Sequence, residues 1–105
     1  MYNYFNNPYD LENKHTKNAV DSHVLDNFDT LQKARQDLVG EIQAIIEYDT
    51  HLHSTTDRLA RETWENIKNE ELVHVGELLA LLNYLDASQK QYVEQGVSEF
   101  KERLN

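Results

Sequence analysis

Two carboxylates and an imidazole stand where a helical sequence should carry aliphatic side chains. In "NEELVHVGELLALL", residues 69–82, Glu71 and His74 occupy an apolar seam, and Glu41 lies on a second seam between Leu38 and Ile45. Residues three apart on a helix share a face, so Glu71 and His74 project together. Burying an unpaired carboxylate costs several kcal/mol, as much as a small domain has to spare. A cation offsets that cost, and a Glu with a His is a ligand set suited to iron, manganese or zinc.

Periodicity places these residues on helices. The spacing predicts a first helix from about Ser22 to His53, in which Leu31, Leu38, Ile45 and Leu52 recur every seven residues. Phe28, Glu41 and Tyr48 fill the steps between them, and Val39, Ile42 and Ile46 form a neighbouring seam. "HSTTD", residues 53–57, is a tight connection whose Ser and Thr favour a helix start. A second helix follows from about Thr56 to Asp86, with Ala60, Trp64, Ile67, Glu71, His74, Leu78, Leu81 and Leu85 in 4-3-4-3 spacing. Leu72, Val75, Leu79 and Leu82 widen its apolar arc beyond what one antiparallel partner covers. A shorter third helix begins where Ser88 and Gln91 resemble a capping box, and Val93, Val97, Phe100 and Leu104 share one of its faces. The expected fold is all-α: an antiparallel two-helix hairpin plus a short C-terminal helix, two copies of which pack as a four-helix bundle.

The hairpin brings the three polar residues to one height. With the turn centred near residue 55, Glu41 lies 14 residues before it (55 − 41) and Glu71 lies 16 after (71 − 55). At 1.5 Å per residue the two are level within roughly 3 Å. Di-iron carboxylate bundles take a Glu from each of two helices and a Glu-x-x-His from each of the other two. One chain supplies half of that set, and a two-fold copy would complete it with Glu41, Glu71 and His74 again.

The bulk sequence sets bounds on this reading. A chain of 105 residues suits one small domain with a modest core, so association is a natural way to bury more surface. Its formal charge of -9 argues against nucleic acid and anionic membranes as partners. No apolar run is long enough to span a bilayer, and "MYNYFNNPYD" lacks the features of a signal peptide, so a soluble, cytoplasmic protein is expected. With no cysteine, disulfides and thiolate metal sites are excluded. Residues 1–21 are polar and Asn-rich with scattered aromatics, and they read as a flexible tail preceding a helical unit at 22–105.

Plainer readings stand beside the metal reading. A Glu-x-x-His pair is common by chance, Glu71 can curl to the seam edge, and His74 can be a satisfied core histidine. Glu12 and His15 have the same spacing in a polar stretch with no seam, and read as solvated surface. His51 and His53 near the turn read as exposed, and Trp64 as packing. Tyr48, two turns beyond Glu41 on its seam, is a candidate to hydrogen-bond near the site, with core packing as the simpler role. Glu47, Asp49, Glu62, Glu65, Glu70 and Glu77 read as a solvated acidic face.

"GEIQAIIEYD" and "NIKNEELVHVGELLALLNYL" resemble the encapsulated ferritin family of the ferritin-like superfamily, over about residues 30 to 90. The resemblance implies a half-ferritin hairpin whose ligand Glu is Glu41, whose Glu-x-x-His is Glu71 with His74, and whose central Tyr is Tyr48. It also implies a homodimer around a di-iron ferroxidase centre with two irons shared between chains. Such dimers assemble further into a ring, commonly decameric, inside an encapsulin shell. Acidic residues that flank the helix-one ligand in some members correspond here to Gly40 and Gln43, and an aromatic beside the Tyr is replaced by Glu47. No targeting peptide is visible after "FKERLN", which leaves encapsulation without support from this chain.

The expected activity is ferrous iron oxidation by oxygen for iron storage or detoxification. One His74 and one Glu41 would hold each iron, with the Glu71 carboxylates between them. The alternatives are a rubrerythrin-like peroxidase or manganese-binding protein on the same site, and a non-enzymatic helical association module whose buried polar trio sets register.

Overall fold

The computed structural model describes residues 22–105, with side chains from residue 27 onward. Three helices account for nearly all of it: α1 (Ser22–Ser54), α2 (Arg58–Leu85) and α3 (Ala87–Glu102). No strand occurs among the described residues, in keeping with the all-α expectation. The tail at 1–21, with Glu12 and His15, lies outside the described residues.

α1 and α2 form the antiparallel hairpin because one stripe of each helix is apolar and the link between them is short. Leu31, Ala34, Leu38, Ile45 and Leu52 of α1 turn toward Ala60, Trp64, Ile67, Val75, Leu78, Leu82 and Leu85 of α2. Ala34 and Leu82 are the buried hydrophobic residues among those described, so the pair has only a thin core. Val39, Ile42, Ile46, Leu72, Leu79 and Leu81 remain exposed. None of the helices is long and apolar enough to cross a membrane, among the described residues.

The turn is closed by residues other than those the sequence suggested. Asp57, not Ser54 or Thr56, caps α2: its backbone is extended (φ -62°, ψ 125°) and its carboxylate accepts the N–H of Ala60 at 2.8 Å. An Asp side chain outcompetes the preceding hydroxyls because a charged acceptor suits the positive end of a helix. The Arg61 guanidinium donates to the carbonyls of Leu52 and Thr55, the latter at 2.9 Å, and so satisfies groups left open at the end of α1.

The junction between α2 and α3 is a single residue. Asp86 closes α2 through its N–H to Leu82 O at 3.0 Å, and opens α3 by accepting Gln89 N–H at 3.1 Å. Asp86 therefore takes the capping role expected of Ser88. Arg35 of α1 ties this elbow down, with a 2.7 Å hydrogen bond to Gln89 Oε1 and a 3.8 Å approach to Asp86.

Candidate metal centre

Glu41 and Glu71 are held level by the turn, as the arithmetic of the hairpin requires. Half-buried Leu38 and Ile45 flank Glu41 on α1, while Ile67, Val75 and Leu78 surround Glu71 on α2. Their side chains are only 23% and 20% exposed, so both carboxylates sit largely inside the helix pair. His74, one turn on, is 49% exposed at the rim. Its Nδ1 lies 3.5 Å from Glu41 Oε1 and 3.5 Å from Glu71 Oε2. One ligand atom from each of the three residues falls within 4.8 Å of the others. No Lys or Arg pairs with either carboxylate among the described residues.

The position of His74 departs from the expected seam. A strict seven-residue repeat drifts by about 20° per heptad against a straight helix. Along α2 the face turned to α1 therefore passes from Glu71 to Val75, Leu78 and Leu82, leaving His74 and Leu81 on one flank. Position 74 is about 60° round the helix from position 71. The imidazole can thus reach both carboxylates and still face outward.

This flank opens into a cleft of about 480 Å³ lined by Gln36, Asp37, Gly40, Glu41, His74, Glu77 and Leu78. Asp37 and Glu77 are residues that sequence reasoning missed, Glu77 having been read as plain surface. Their spacing carried the signal: Asp37 is one turn before Glu41, and Glu77 one turn after His74. They add negative potential at the mouth, which favours cations and disfavours anions.

The other candidates separate from this group. Tyr48 is half-buried, with its ring edge-on to His51 at 6.4 Å, and it does not line the cleft. His51 is exposed and packs against Trp64 at 4.9 Å, near the turn. His53 is exposed, as are Glu47, Glu65 and Glu70. Asp49 pairs with Lys68 at 2.9 Å, and Glu62 with Arg58 at 3.0 Å.

Two carboxylate oxygens and an imidazole nitrogen make a hard-to-borderline donor set, suited to iron, manganese or zinc and not to soft monovalent ions. The three residues fit a divalent cation, and they offer fewer donors than such a cation takes up. The chain matches no protein-family model, no curated protein and no solved structure. Fold and site together define a helical hairpin carrying a two-carboxylate, one-imidazole candidate metal group.

Proposed function

We propose that this chain is a ferroxidase subunit, and that two copies face one another across the cleft flank to complete a di-iron centre. The observation that carries this reading is the convergence of Glu41, Glu71 and His74 within 4.8 Å on an open side of the hairpin. A set of three protein donors leaves a cation under-coordinated, and the same three donors from a second copy make good the deficit. The thin core favours association in general, because exposed aliphatic side chains remain on both helices, although Val39, Ile42, Ile46, Leu72 and Leu79 lie on the side away from the cleft. The resemblance to encapsulated ferritins belongs to this proposal, as do the choice of iron and a cytoplasmic setting.

Within this reading each residue has a distinct task. Glu41 and Glu71 supply the negative charge that draws a ferrous ion from water and favours the more highly charged ferric product. His74 would contribute the unprotonated nitrogen of a neutral imidazole, the form a metal ion binds. Asp37 and Glu77 raise the local concentration of cations at the mouth. Two ferrous ions held by these residues would be the substrate and would supply one electron each to dioxygen, which with two protons would give hydrogen peroxide. The hairpin pair encloses no storage cavity, so ferric product must pass to another compartment or partner.

Glu71→Ala combined with His74→Ala tests the reading. The variant should lose bound iron under anaerobic loading and oxidise added ferrous iron at the rate of buffer alone. Unaltered iron content and oxidation in that variant would remove the assigned site. Bound iron without oxygen consumption, but with peroxide consumption, would move the chemistry to peroxide reduction.

A further inference from the structure

α3 is held at one end and bare along its length. Arg35 and Asp86 fix its start, while exposure along its apolar stripe rises from 40% at Val93 through 50% at Val97 to 60% at Phe100, and reaches 70% at Leu104 in the turn that follows. The helix thus diverges from the hairpin and takes its apolar face with it. The stripe is narrow, because the 4-3 spacing of Val93, Val97 and Phe100 keeps them within about 60° of arc, the geometry of a two-stranded coiled-coil seam.

We propose that α3 pairs antiparallel with α3 of a second copy of this chain. Three features of the helix select that occupant and that direction. First, the chain as a whole carries a charge of -9, which repels other copies, but α3 is close to balance: Lys90 and Lys101 stand against Glu94, Glu99 and Glu102, a net of -1, and Arg103 caps its end. Second, antiparallel alignment sets Val97 against Phe100 of the second copy, and Val93 against Leu104 in the turn just beyond the helix. Small then faces large at every layer, as close packing prefers. A parallel alignment instead stacks Phe100 on itself and leaves paired valines under-filled. Third, Glu94 and Lys101 flank the same side of the seam. In the antiparallel pair each Glu94 meets Lys101 of the other copy, twice by symmetry, whereas a parallel pair sets Lys101 beside Gly96.

Two helices of this length bury less than the roughly 1,200 Å² of a stable protein interface. The contact is therefore a weak one that links copies at high local concentration. It lies apart from the cleft and does not rest on the metal reading.

Sedimentation of the full chain over a dilution series, with chelator present to silence Glu41, Glu71 and His74, decides the matter. Glu94→Lys and Lys101→Glu should each weaken self-association by about tenfold, because two favourable charge pairs become two repulsive ones. An equimolar mixture of the two variants should recover association to within about twofold of the unmodified chain, since the mixed pair restores both contacts. Phe100→Asp should abolish the step. A mixture no better than either variant alone overturns the proposal, as does an unmodified chain that stays monomeric throughout. Loss of association with Phe100→Asp, but not with either charge reversal, would overturn it in favour of α3 seating on the hairpin of another copy.

Discussion

His74 and Glu41 meet across the hairpin, with Nδ1 of the imidazole 3.5 Å from Oε1 of the carboxylate. The contact joins α2 to α1 at a level where both helices turn a carboxylate inward. An aliphatic pair at this height would have packed the core more cheaply. The helices instead keep two carboxylates close enough to repel, with an imidazole between them.

Replacing Glu71 by Leu should therefore stabilise the metal-free chain while abolishing metal binding. Apolar replacement of buried ionic groups is commonly neutral to stabilising, and a gain of about 1 kcal/mol is expected here. Urea unfolding in chelator measures the first effect, and equilibrium dialysis against a divalent ion the second. A loss of stability would mean that Glu71 serves His74 structurally, as an ion-pair partner, and not as a ligand.

Metal should drive the association of hairpins. If each copy offers half a ligand set, ferrous or cobaltous ion should shift the sedimenting mass upward at fixed chain concentration, and chelator should reverse the shift. Saturation is expected at one ion per chain. Equal masses with and without metal would separate assembly from ligation.

The turn sets the register of the site, so its caps should matter beyond their own energy. Asp57→Ala should cost about 1 kcal/mol, while Asp57→Asn should cost little, because both Asp and Asn cap well. Arg61→Ala returns two carbonyls to water and should cost roughly 0.5–1.5 kcal/mol. If register is what these residues protect, Arg61→Ala will also weaken divalent-ion binding, although it lies far from the cleft. Thermal unfolding and ion titration of the same variants report both effects.

Much of this was legible in the chain itself. The level of Glu41 and Glu71 follows from counting to the turn, because helical rise is nearly invariant. The helices themselves were legible from their seven-residue repeats. What escaped depends on geometry that a repeat does not encode. The repeat assigned His74 and Leu81 to the buried seam, but slow rotation of a straight helix gives that place to Val75 and Leu82. Capping was misjudged because Ser54 and Ser88 look adequate until Asp57 and Asp86 compete with them. Asp37 and Glu77 were lost among many surface acids, since only the neighbouring helix shows which of those acids share an opening.

Asp86 ends one helix and begins the next with no residue between. The last segment therefore takes its heading directly from the one before, and there is no slack in which an error could be absorbed. Inserting one amino acid at this extended joint would change the heading of the terminal helix and redirect its sticky side. Lengthening the joint, with every contact surface left intact, would be enough to misdirect assembly.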